Sequence, residues 1–297
     1  MCVSLPFFVG NGADAILKHA KHDDFSIKIF LYIYCMIFYF SCTGNTRWAA
    51  ETLAEATHDR LVEMSVENIG STFSISSGES IGFCFPVHGW RPPIIVREFL
   101  RDAHFVYDDD TQHFCYALCT AGDTVGEAMD IFKADAASIG VNVDSCASLL
   151  MPESYVGLPF MDVDNYKNEQ RKKLQASAAL AAFAKNVMAR NRGVRNLHIG
   201  HWPKTNSRLI GEVFVRHIIT DKHFWVDKGK CRKCGLCAKV CPVHDITVGE
   251  QGTPEWNHNG RCLSCFACYH HCPTHAIEYG RRTKNKGQYY YKQNKQT

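Results

Sequence analysis

The sequence has no excess of either charge. Its 33 lysines and arginines stand against 30 aspartates and glutamates, a formal net charge of +3, and no block of like charge suggests a disordered tail. Nucleic acid is disfavoured as a partner, because binding it requires a cationic surface. The chain also lacks an apolar run of the roughly 20 residues that a membrane helix needs. The one segment that could mislead, "IFLYIYCMIFYF" at residues 29–40, has twelve, so no membrane partner is expected. No signal-peptide pattern of basic, apolar and small-residue segments is legible either, which makes a soluble protein in the reducing cytoplasm the expectation.

Cysteine, by contrast, is abundant. Of fifteen cysteines in 297 residues, eight fall in 231–272. That length allows two domains, each with a core of its own. The tail is a duplicated unit: "WVDKGKCRKCGLCAKVCPVHDITV" from Trp225 and "WNHNGRCLSCFACYHHCPTHAIEY" from Trp256 align without gaps at an offset of 31 residues. Each copy is one supersecondary unit, expected to pack against the other as a pseudo-symmetric pair.

Each copy carries C-x-x-C-x-x-C-x-x-x-C-P. Three thiolates within seven residues can take three corners of a cubane, while the fourth, one turn further on, points away to the other cluster. Cys231, Cys234, Cys237 and Cys272 are therefore expected to hold one 4Fe-4S cluster, and Cys262, Cys265, Cys268 and Cys241 the second. Zinc knuckles usually offer paired C-x-x-C ligands without a third cysteine three positions on.

Upstream, "FYFSCTGNTRWAAETLAE" at residues 38–55 runs from an apolar segment through a hydroxyl-rich turn into a helical pattern. Backbone N-H groups and the positive end of the helix dipole make such a turn an anion site. Ser41, Thr43 and Thr46 would add hydroxyls, and Gly44 would admit the anion without a Cβ in its way. The plain alternative is an ordinary helix N-cap. Apolar segments from Met36, Arg60, Ser80, His113 and Val141 then alternate with helical patterns, which builds a parallel sheet with helices on both faces and a ligand site at the strands' carboxyl ends. Residues 164–191 read as a long helix with an apolar stripe of Leu174, Ala178, Ala181, Ala184, Val187 and Met188.

Residues 225–280 resemble the bacterial two-cluster ferredoxins, and "SCTGNT" resembles the phosphate loop of flavodoxins. The order of "MIFYFS-TGNT", "FPV-GW-PP", "MPESY" and the two cysteine motifs makes residues 36–280 similar to flavodoxin-ferredoxin fusion electron-transfer proteins. That resemblance implies an α/β, flavodoxin-like, five-stranded parallel sheet followed by a small α+β two-cluster ferredoxin domain. It implies two 4Fe-4S clusters and FMN as cofactors. FMN would be held by Ser41, Cys42, Thr43, Gly44, Asn45 and Thr46 at the phosphate, and by Pro86, Val87, His88, Gly89, Trp90, Thr120, Ala121, Gly122 and Asp123 around the ring. The implied partners are redox proteins. The domain reading is 1–35 as an N-terminal extension, 36–191 flavodoxin-like, 192–224 connector, 225–280 ferredoxin and 281–297 basic tail.

Other signals carry less. "GESIG" at 78–82 matches a hydrolase nucleophile elbow, but Ser80 opens a strand where the elbow needs a strand-to-helix turn. His244 and His275 hold equivalent repeat positions, yet each cluster already has four thiolates. Lys228, Lys230, Arg232 and Lys233 read as a solvated face, with recognition of an acidic partner or an offset to cluster charge as the alternatives. Cys84, Cys115, Cys119 and Cys146 read as buried small hydrophobes. No catalytic nucleophile or acid-base pair is required for electron transfer; a flavin-dependent reductase of a small acceptor and a flavin-less docking domain are the alternatives.

Overall fold

The structure, a computed structural model, describes residues 35–108 and 113–292. The expectation for residues 1–35 thus lies outside the described residues except at Cys35. That residue is buried, its Sγ accepting from Ser80 N at 2.9 Å.

The first part of the chain forms strands β1 (Met36–Tyr39), β2 (Arg60–Glu63), β3 (Thr72–Ile75), β4 (Ser80–Pro86), β5 (His104–Tyr107), β6 (Phe114–Ala121) and β7 (Ser145–Leu150). Interleaved are helices α1 (Asn45–Thr57), α2 (Ile94–Asp102), α3 (Ala128–Ala137) and α4 (Tyr166–Met188). The main sheet runs β2-β1-β4-β6-β7-β8, all parallel; β3 and β5 form a separate parallel pair. The expected five strands are thus joined at the edge by a short sixth, β8 (Arg195–Asn196), in the stretch read as connector.

Both faces of the sheet are covered, so its central strands are apolar on each side. In β1, Met36 and Phe38 pack with α2 and α3 through Phe99, Leu100 and Phe132. Ile37 and Tyr39 pack with α1 and α4 through Leu53, Leu180 and Phe183. The buried face of α4 is Ala176, Leu180, Phe183, Ala184 and Val187, whereas Leu174 and Met188 are exposed. This corrects the expected stripe. Several rows of alanine permit more than one helical face, and the bulk of Leu180 and Phe183 decides which one is buried.

The remainder forms α5 (Gly211–Val213) between π-helical turns Thr205–Ile210 and Phe214–Ile218, then β9 (Phe224–Val226), α6 (Leu236–Lys239), β10 (Ile246–Val248), β11 (Pro254–Trp256), α7 (Ala267–His270) and β12 (Ile277–Tyr279). β9 pairs antiparallel with β12, and β10 with β11. α6 and α7 keep the 31-residue offset of the sequence repeat, as do β10 and β12. Phe224, Ile246, Phe266, Tyr269, Ile277 and Tyr279 form the small core between the two copies. Among the described residues no helix is long and apolar enough to cross a membrane.

Candidate cofactor site

Parallel register brings three loops together at the carboxyl edge of the sheet. Phe38 lies opposite Phe83, Pro86 lies opposite Thr120, and Val87 N donates to Thr120 O at 2.9 Å. The turn after β1 and the loops after β4 and β6 consequently line one cleft of about 660 Å³, to which every residue expected in those loops contributes except Gly44. Ser80, in contrast, is buried at the start of β4, so the hydrolase motif has no elbow.

At the cleft floor, Thr43, Asn45 and Thr46 are buried polar residues. Thr46 Oγ1 shares a 2.8 Å hydrogen bond with Thr120 Oγ1, and Thr43 Oγ1 donates to Ser154 Oγ at 3.4 Å. No side chain caps α1, so its first N-H groups, which have no intrahelical acceptor, remain available to an anion. The N-cap position is held by Gly44, not by a Ser, Thr or Asn side chain. Arg47 is turned aside, 3.5 Å from Glu63 and over the Tyr39 ring. Neutral hydroxyls and backbone N-H groups are therefore the donor set, and they suit a phosphate group.

The expected role of Gly44 needs correction. Its φ is +91°, and a Cβ there would meet Tyr291 Cβ at 3.0 Å. Glycine is required by the left-handed turn and by the chain's own tail lying against it. Tyr291 N donates to Thr43 O at 2.8 Å, and its ring stacks on Trp48 at 5.3 Å.

Two walls of the cleft come from residues not expected to border the flavin. One is "MPESY", where Met151, Pro152, Glu153, Ser154 and Tyr155 line it. Glu153 Oε1 accepts from Ser154 N and Tyr155 N, its carboxyl lies against Gly122, and burial pushes its pKa up. The other is the helical turn after β8, which supplies Leu209, Ile210, Val213, Phe214 and Ile218. That segment is latched to the ring loops. Arg91 reaches Ser207 O at 3.0 Å and Glu212 at 2.9 Å, Arg208 clasps Glu127 at 2.6 and 3.1 Å, and Ser207 Oγ accepts from Glu127 N. Trp90 Nε1 donates to Thr124 Oγ1 at 3.0 Å, which fixes the indole at the rim. Apolar residues at helical spacing were the available signal, but their partners, such as Tyr155 and Gly89 against Phe214, lie dozens to more than a hundred residues away in sequence.

The repeat cysteines fall into two groups. Cys231, Cys234, Cys237 and Cys272 line one small hollow; Cys241, Cys262, Cys265 and Cys268 line another. Each group mixes three cysteines of one copy with the last cysteine of the other. Backbone donors repeat as well: Lys233 N to Cys231 Sγ and Ser264 N to Cys262 Sγ at 3.4 Å, Asp245 N to Cys241 Sγ at 3.3 Å and Ala276 N to Cys272 Sγ at 3.2 Å. Such donors stabilise sulfur that carries negative charge. Among the described residues no three His, Cys, Asp or Glu side chains are grouped to hold a single metal ion. The cysteines instead surround hollows, as ligands at the corners of a cubane must. His244 is exposed and pairs with Glu67 at 2.6 Å.

Comparison with known families bears on both halves. A family model described as a flavodoxin domain matches residues 36–140, and one described as a 4Fe-4S dicluster domain matches residues 222–277. The chain is a flavodoxin domain fused to a 4Fe-4S dicluster domain. No curated protein matches it. Among solved structures, a provisionally assigned flavoprotein from Bacteroides uniformis is 20% identical over 39% of this chain and 89% of its own, with a TM-score of 0.29. An azoreductase from Bacillus anthracis is 10% identical over 52% and 99%, with a TM-score of 0.35. Rubredoxin:oxygen oxidoreductase from Desulfovibrio gigas is 14% identical over 50% and 36%, with a TM-score of 0.27. At such scores these likenesses carry no argument.

In this fusion the two halves share a wall. Leu263, Ser264 and Cys265 of the dicluster domain line the flavodoxin cleft, and Cys265 also lines the hollow of Cys241, Cys262 and Cys268. Cys42 of the flavodoxin turn lines the same cleft as Cys265, and both pack against the core of the main sheet. The neighbouring Cys265, and then burial, push the Cys42 thiol well above its ordinary pKa. On the opposite wall, burial lowers His88 to about 4, leaving a neutral ring at neutral pH. Iron-sulfur chemistry beside a flavin cleft is the basis for electron transfer or flavin-dependent redox work.

Proposed function

We propose that the chain is a cytoplasmic electron carrier with two 4Fe-4S clusters and one FMN, exchanging electrons with other redox proteins. The observation that carries the proposal is the position of Cys265, which belongs to both the cysteine hollow and the wall of the flavin cleft. When bound, clusters pass single electrons and a flavin accepts two, so the pair converts between one-electron and two-electron traffic. Residues 36–191 hold the flavin, the connector 192–224 roofs it, 225–280 holds the clusters and the tail from 281 straps the two together. One phosphate-binding turn with neutral donors fits a mononucleotide. Thr43 and Thr46 with the first N-H groups of α1 hold its phosphate, and residues 86–90 and 120–123 border its ring.

Iron, sulfide and flavin quantification after anaerobic purification tests this. About eight iron atoms and one FMN per chain are expected, from two cubanes and one cleft. Stoichiometric zinc, or a disulfide among the eight repeat cysteines, overturns the cluster assignment. Protein that keeps its iron but never retains FMN is instead a flavin-less docking domain joined to a ferredoxin.

One observation favours a second reading, a flavin-dependent reductase of a small acceptor. Phe160, Leu209, Ile210 and Val213 line the cleft yet remain exposed at its mouth, an apolar approach for a flat organic molecule. Turnover of quinones or nitro compounds that disappears in Thr43→Ala distinguishes the reductase. Loss of one hydrogen bond to a charged group, about 1.5 to 3 kcal/mol, corresponds to roughly a ten- to hundredfold loss of FMN affinity.

A further inference from the structure

The two halves of the dicluster domain share one backbone and differ in what they face. Lys233 and Ser264 are equivalent by the 31-residue offset and both are left-handed, with φ of +57° and +45°; the next equivalent pair, Gly235 and Phe266, has φ of +70° and +59°. Around that common turn the second copy reads C-L-S-C. Leu263 and Ser264 are buried, because this turn docks onto the rest of the chain: Leu263 joins the core of the main sheet, and Ser264 Oγ accepts from Thr220 N of the connector at 2.9 Å. The first copy reads C-R-K-C, and its Arg232, Lys233 and Cys234 are exposed. Lys228, Lys230 and Lys239 flank the same turn in sequence and are exposed too, while Lys228 and Lys239 have as counterparts Asn259 and His270. Nearby acids are Asp227, which pairs with Lys230 at 3.7 Å, and Glu250 and Glu255 at the turn that packs on Lys233, fewer than the cations around them.

A duplicated turn that serves one copy as an internal docking element is thus free in the other, and cationic. We propose that the first-repeat face formed by Lys228, Lys230, Arg232, Lys233 and Lys239 docks an acidic electron-carrier protein over the hollow of Cys231, Cys234, Cys237 and Cys272. The proposal rests on the electron-transfer reading, which assigns that hollow to the outer cluster. Charge complementarity names the partner's sign. A protein is favoured over nucleic acid because residues 228–239 contain no aromatic side chain on which a base could stack.

The test is equilibrium binding of the full-length, iron-loaded protein to an acidic plant-type ferredoxin, with basic cytochrome c and a short DNA duplex as comparison probes. The acidic probe alone should bind, more weakly as salt rises. The combined change Lys228→Glu, Arg232→Glu and Lys233→Glu should weaken binding by at least about tenfold with iron content unchanged. Reversing two exposed cations on α4, Arg171→Glu and Lys185→Glu, should leave it unchanged. If the cations only offset cluster charge, the triple change would move the reduction potential and leave binding intact, which overturns the proposal. Tighter binding of DNA overturns it as well. A sample that takes up no iron overturns the electron-transfer reading and the docking with it; loaded protein that ignores the acidic probe overturns the docking alone.

Discussion

The hydroxyl of Tyr289 donates a 2.7 Å hydrogen bond to Oδ1 of Asn45, joining the chain's tail to the first residue of α1 across 244 positions. Both residues are buried, and Asn45 Nδ2 in turn donates to Pro152 O at 3.0 Å. The tail reaches this place through His270, whose Nδ1 accepts from Tyr289 N at 3.1 Å while Nε2 donates to Ser154 O at 2.6 Å. One strap thereby ties the phosphate turn, the "MPESY" wall and the dicluster domain together.

Tyr289→Phe should consequently loosen the turn without altering the cysteine hollows. Leaving a buried acceptor without this donor costs about 1 to 3 kcal/mol. The expected result is a lower denaturation midpoint and weaker FMN retention at unchanged iron content. An unaltered midpoint would show that the tail does not hold the turn.

Cys42 lies beside Cys265, the residue that the proposed function makes a ligand of the second cluster, and its thiol would be a donor to that sulfur. Hydrogen bonds to cluster sulfurs raise the reduction potential by stabilising the added negative charge. Cys42→Ala should lower the potential of one cluster, and Cys42→Ser should restore most of it, as read by redox titration of the iron signals. Equal effects of both variants would exclude the hydrogen bond as the cause.

His88 gives acid sensitivity a specific window. Its ordinary pKa is about 6.5, and burial lowers it to about 4. Between these values the unfolded chain takes up a proton that the folded chain refuses, so stability falls as pH drops from about 6.5 through about 4. Urea midpoints at both ends of this range should differ less in His88→Asn than in the wild type. A wild-type loss that the variant reproduces in full would assign the sensitivity to other groups.

Asp123 lines the cleft and is exposed. A negative charge beside the ring opposes electron uptake by Coulomb repulsion, weakened by solvent. Asp123→Asn should therefore raise the flavin potential modestly and leave FMN bound. A fall in potential, or an empty site, would contradict this placement.

The crossed grouping of the cysteines was legible because C-x-x-C-x-x-C-x-x-x-C-P is a local geometry and its duplication supplies the fourth cysteine of the other copy. The loops that line the cleft were legible because hydroxyl, glycine and proline positions mark strand-to-helix turns. The face of α4 was not. Rows of alanine at helical spacing carry too little contrast to choose between Leu174 and Leu180, and packing against Tyr116 and α1 made the choice.

Local chemistry, then, determined what sequence alone could determine: the two cysteine sets, the hydroxyl-rich turn and the alternation of strands and helices. Each depends on residues within a few positions of one another. The contact of Cys42 with Cys265, the roof of Leu209 and Phe214, the Tyr289 strap and the opposed fates of the turns at Arg232 and Leu263 were decided by tertiary structure. They join segments separated by between 44 and 244 residues. Their side chains are ordinary apolar, hydroxyl or basic groups whose roles are set by what the fold brings against them, and no spacing rule encodes that.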